Sequence, residues 1–253
     1  MTSWPVSDMA KNNFSDQRKK SGTALRSLAT ILSRKGVCSD VAPLNAAAEQ
    51  CSQVSGHGNK AWAYDISNLT FQLNTPKGTI PSKAKEFRIE LSLSMVGRFD
   101  NEPDDPFEKL EINVLKYIQG PTGVELKAAW HFDRHIIDTK TDSPHITEDI
   151  HPLYHFQFGG AGMAQIADEL GQTFLLDPPR LMHPPMDGLL AIDFLLANYA
   201  GAVWKSLRDD AQYSNLIVPQ FARIWKPYYE AMASSWANPR VHSSSFLCPF
   251  VMN

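Results

Sequence analysis

The spacing of apolar residues along this chain changes period twice, and that switch limits the fold more than any single motif does. Up to about residue 54 the period is helical; between Tyr64 and Phe158 it drops to two; from Asp187 onward it is helical again. Consecutive strands joined by short polar connections pair antiparallel, because parallel pairs need long crossovers. The pattern predicts an α+β fold, with an antiparallel meander sheet of about five strands flanked by N-terminal and C-terminal helices.

The first helix is predicted over 15–35 from Leu25, Leu28, Ile31 and Leu32, with Gly36 as its stop. A second, alanine-rich helix runs from Pro43 to about Val54, opening with a proline at a tolerated position. Strands are expected at 64–73, 86–99, 109–118, 124–136 and 151–158. In the clearest of them Phe87, Ile89, Leu91, Leu93 and Met95 alternate with Arg88, Glu90, Ser92 and Ser94. After the sheet come a short helix at 163–170, a strongly apolar one at 187–208, and an aromatic one at 212–236 that Pro219 and Pro227 bend. The domain division that follows is a flexible arm at 1–14, a single α+β domain at 15–240, and an apolar tail at 241–253. The tail either docks on its own domain or inserts into a partner.

Composition narrows the function classes. The chain has 253 residues and a formal net charge of −3, which argues against a nucleic-acid coat. No apolar stretch follows the first charges, so no secretory signal is read. The greasiest segment, 189–204, carries Asp193 and Asn198 and is too short and polar to span about 30 Å of hydrocarbon. Cys38, Cys51 and Cys248 form no CxxC pair and sit beside no histidine, which points to reduced thiols in a cytoplasmic protein and to no cysteine nucleophile. Arg18, Lys19, Lys20, Arg26, Arg34 and Lys35 make the first helix basic. Such a face is usually solvated, with nucleic-acid contact as the alternative. The acidic run at 100–108 lacks calcium-loop spacing, and Gly159-Gly160-x-Gly162 lacks the lysine of a P-loop.

Five of the eight histidines fall between residues 131 and 155. On a strand, residues two apart share a face, so His131, Asp133 and His135 point one way, as do His151, His155 and Gln157 on the next strand. With Ile136 taken opposite Ile150, His131 faces His155 and His135 faces His151. Residues four apart on one strand lie about 13 Å from each other and cannot share an ion, whereas directly opposed residues can. The expected metal set is therefore His131, Asp133 and His155, holding a divalent ion such as zinc beside an open coordination position. Without a metal, His131 and His155 would serve as catalytic acid and base, with His135, His151 and Gln157 as ligand-binding neighbours. The plainer reading is that these side chains only hydrogen-bond across the sheet. The polar connection 137–149 is long for a hairpin, as functional loops often are.

The order helix, four meander strands, His151-Pro152 and C-terminal helices is similar to that of ubiquitin-conjugating-like folds. Active members place a cysteine shortly after the His-Pro; here the next is Cys248, so the resemblance implies a catalytically silent, partner-binding relative. The expected function is a cytosolic accessory module that binds another protein within a complex and no membrane. The alternative is a histidine-based, metal-dependent hydrolase acting on phosphodiesters.

Overall fold

Leu25, Leu28, Ile31 and Leu32 lie on one buried stripe of helix α1 (Phe14–Arg34), which faces the core. The computed structural model describes residues 14–79, 81, 83–101, 105–134, 152–159, 163 and 180–236. Phe14 belongs to the helix and not to an arm, and its ring stacks on Phe99 at 6.0 Å; residues 1–13 lie outside the described ones. The stop is the expected glycine. Gly36 takes φ +64°, and the Val37 N–H turns back to the Leu32 carbonyl at 2.9 Å, the left-handed ending that spares glycine the Cβ clash. Helix α2 (Ala42–Ser52) packs between α1 and the first strand.

The strands are β1 (Ala61–Leu73), β2 (Lys85–Arg98), β3 (Phe107–Gln119), β4 (Glu125–Arg134), β5 (Tyr154–Phe158) and β6 (Leu181–Met182). They pair in chain order, every pair antiparallel. The meander is as expected, with one short strand more than the alternation revealed: two residues are too few to show a period. In β1 the period slips once. Ile66 and Leu69 are three apart yet both buried, because a bulge at Ser67-Asn68, with Asn68 at φ 51°, shifts the register between them.

The described helices lie against one face of the sheet. Odd residues of β2 (Phe87 to Met95) and even residues of β3 and β4 (Leu110, Ile112, Val114, Trp130, Phe132) join the helical stripes in a single core. The segment expected as one helix over 187–208 divides into α3 (Gly188–Tyr199) and α4 (Gly201–Arg208) at Ala200, whose φ −137° and ψ 47° are not helical. The break lets α4 and the next helix fold back over Asp193. This carboxylate is 6 % exposed and accepts from Trp204 Nε1 at 2.8 Å and Tyr213 OH at 3.0 Å, with Arg208 Nη1 at 3.6 Å. The segment expected over 212–236 divides too, into α5 (Ala211–Gln220), a π-helical turn at Phe221–Trp225, and α6 (Lys226–Ser235). Pro219 has no N–H and crowds the turn before it. The helix widens just beyond, where the Lys226 N–H bonds the Phe221 carbonyl five residues back. Of the helix expected at 163–170 only Met163 is described.

The basic face of α1 is largely engaged within the chain. Arg26 pairs with Glu49 at 3.0 Å, and Arg34 and Lys35 both reach Asp210, at 3.1 and 3.4 Å. Arg18 is buried and donates to the Asn59 and Ala61 carbonyls. No helix among the described residues is long and apolar enough to cross a membrane.

Candidate functional site

The far face of the sheet carries the polar residues of each strand. Alternation places His131 and Asp133 there on β4, and His155 and Gln157 on β5, opposite Trp130, Phe132 and Phe156 in the core. The expected faces are the observed ones. The expected partners are not: Asp133 lies opposite His155, and His131 lies opposite Gln157. The pairing is displaced by two residues from the one that sets His131 against His155, so the two imidazoles are diagonal neighbours with ring centroids 6.5 Å apart. An even displacement keeps every side chain on its face and is not opposed by the core. His135, His145 and His151 lie outside the described residues, as does the connection 137–149.

Asp133 stands between the imidazoles. Its Oδ1 is 3.0 Å from His155 Nε2, and its Oδ2 is 3.6 Å from His131 Nε2. His155 is 2 % exposed, and its Nδ1 lies 3.1 Å from the Pro152 carbonyl oxygen. A carbonyl only accepts, so that contact puts the ring hydrogen on Nδ1 and turns Nε2 toward a carboxylate that also only accepts. A proton or a cation between the two reconciles them. One ligand atom from each of the three residues can be chosen so that all lie within 4.8 Å of one another. Two zinc ligands at ordinary bond lengths and a tetrahedral angle are about 3.4 Å apart; each imidazole meets a different oxygen of Asp133 at a separation of that order.

The site opens into a cleft of about 220 Å³ floored by β3 and β4. Glu111 and Asn113 of β3 line it beside His131 and Asp133, since Glu111 pairs with Asp133 and Asn113 with His131. Asn113 Nδ2 donates to Glu111 Oε1 at 2.9 Å. Alternation along β3 already turned these two side chains away from the core; that they adjoin the histidines depends on pairing across strands. Gly159 closes the cleft at a φ of +86° that favours glycine. His131 is the accessible imidazole, half-buried at the cleft wall, while His155 has both ring nitrogens engaged beneath it.

The other candidates lie elsewhere. Cys38 and Cys51 are buried, and burial pushes the Cys51 thiol up to about 12, so neither offers a thiolate near neutral pH. Cys248 lies outside the described residues. His183 sits on the core side among Phe132, Phe156, Phe194 and Trp225, with centroids 4.9–5.7 Å away, and desolvation lowers its pKa. In the acidic run, Asp100 pairs with Arg98 and Lys60, and Asp105 with Arg134. Those carboxylates fasten strand ends.

No protein-family model matches the chain, no curated protein is significantly similar to it, and no solved structure matches its fold significantly, so the likeness to ubiquitin-conjugating-like folds rests on element order and the His151-Pro152 dipeptide.

Proposed function

We propose that the chain is a metal-dependent hydrolase whose divalent ion, zinc by ligand type, is held by His131, Asp133 and His155. The observation that carries this reading is the pair of imidazole nitrogens converging on one carboxylate at the wall of a cleft. Two histidines, one carboxylate and an accessible fourth position are the ligand set of catalytic zinc sites, where the ion makes bound water a nucleophile near neutral pH. The Pro152 carbonyl holds the His155 ring in the tautomer that ligates through Nε2, the outer-shell support such ligands ordinarily have. Phosphodiesters are the substrates to try first, because a divalent ion held there would supply a nucleophilic water and offset the charge that builds on the phosphoryl oxygens.

The test is metal analysis of the purified protein, then turnover of bis(para-nitrophenyl) phosphate. About one zinc or manganese per chain is expected, falling at least tenfold in His131→Ala and in Asp133→Ala, with hydrolysis lost in parallel. Metal-free protein that takes up no added zinc in equilibrium dialysis overturns the reading.

The second reading, a partner-binding accessory module, is favoured by two largely exposed aromatic side chains at the end of the last helix. Tyr229 is 52 % and Trp236 is 74 % exposed, and exposed apolar surface is what a protein partner covers. Co-purification of a stoichiometric protein that is lost in Trp236→Ala supports it; a chain that stays monomeric and partnerless counts against it.

A further inference from the structure

We propose a second site, on the opposite face of the sheet, that binds a small organic anion with an apolar body through Lys116 and Tyr199. Along β3 the helix-facing positions read Leu110, Ile112, Val114, Lys116 and Ile118, so one lysine interrupts an otherwise apolar inward row. It does so where the helical layer ends. Helix α3 stops at Tyr199 while the strands continue, leaving a pocket of about 400 Å³, a size typical of small-molecule sites. Phe87, Ile118, Leu126 and Ala128 form its apolar floor, the end of α3 forms one wall, and the β1–β2 connection at 76–79 forms the other. Leu126 remains 37 % exposed there, on a face that the helices cover elsewhere.

The charged side chains that line this pocket are all cationic, beside the neutral Thr79, Tyr117, Asn198 and Tyr199. Lys116 Nζ is 3.4 Å from the Tyr199 hydroxyl oxygen and 5.3 Å from the centre of its ring, and it meets no carboxylate among the described residues. The Tyr199 oxygen also accepts from Trp130 Nε1 at 3.1 Å. Two N–H groups thus occupy its lone pairs, and its own hydrogen is left to donate. Lys77 and Lys127 also line the pocket, and no aspartate or glutamate does. The negative end of α3 accounts for a cation at this position; it does not account for an apolar cavity beside it that two further lysines line. An ammonium and a hydroxyl at one end of an apolar floor fit a carboxylate or a phosphate monoester on an aromatic or alkyl body. This site shares no residue with the proposed metal centre, so either can fail without the other.

Calorimetric titration of the full chain with naphthoate, naphthyl phosphate and the uncharged naphthamide tests the proposal. One molecule of naphthoate or naphthyl phosphate is expected per chain, at least tenfold tighter than naphthamide, and the tighter of the two identifies the anionic group. Lys116→Gln should remove that advantage. Leu126→Glu, at the exposed edge of the floor, should weaken both anions at least tenfold and favour naphthylmethylamine, which keeps the test open if Lys116→Gln fails to fold. Equal affinity for acid and amide, anion binding unchanged in a folded Lys116→Gln or Leu126→Glu protein, or no heat from any probe at millimolar concentration overturns it.

Discussion

Asp193 shows how one residue can organise its surroundings. It interrupts a strongly apolar segment, and the structure buries it under Trp204, Tyr213 and Arg208. Asp193→Ala would strand two buried donors and a guanidinium, and should cost about 3 kcal/mol in urea unfolding; a loss under about 1 kcal/mol would show that the cluster is incidental. His183 makes a pH prediction. Its aromatic surroundings lower its pKa in the folded chain, while in the unfolded chain it titrates near the ordinary 6.5. Below that value the unfolded state binds more protons, so stability is full above about pH 6.5 and declines as pH falls toward the lowered folded value. Denaturation at pH 7.5 and 5.5 should therefore show a smaller acid loss in His183→Phe than in the parent. Equal losses would assign the acid sensitivity to other groups.

At the scale of elements, the close fit of β1 to β2 depends on a missing side chain. Trp62 pairs with Gly97, and a Cβ at 97 would lie 2.5–2.8 Å from the Trp62 ring. Trp62 is itself wedged against Phe99 and Phe107, so it has little room to yield. Gly97→Ala is expected to cost about 2 kcal/mol through overpacking and to alter tryptophan fluorescence; an unchanged midpoint and spectrum would mean that the ring moves freely. The helices teach a related lesson. Pro219 and Pro227 marked the bend in the last helical segment, and the bend took the form of a π turn between them. At the end of α3 the local sequence does carry a stop signal, Gly201 directly after Ala200. Beyond that break lie the partners of Asp193, on two later helices.

For the molecule as a whole, α1 and α2 share one buried core with α3–α6 instead of forming a layer of their own. Unfolding should accordingly be one transition, with tryptophan fluorescence and far-ultraviolet circular dichroism coinciding in urea. Separate midpoints would divide the chain into independent units. The arrangement leaves one face of the sheet polar across its width, from Asp65 on β1 to His155 on β5, and it brings the candidate metal ligands to that face.

What the sequence determined by itself is everything that depends on periodicity. A helix with one buried side and a sheet with one buried face each impress their repeat on neighbouring residues, so the element types, the meander and the faces of His131, Asp133 and His155 are all legible. Pairing across strands is not. Moving β5 by one residue along β4 would turn its buried residues outward, and the core forbids that; moving it by two leaves every residue on its face, and alternation alone cannot tell the alternatives apart. Tertiary structure therefore chose Asp133 as the partner of His155, set Glu111 and Asn113 beside them, and placed the end of α3 so that Lys116 lies at the mouth of a pocket. Each of these depends on contacts between residues far apart in the chain, which local spacing does not encode.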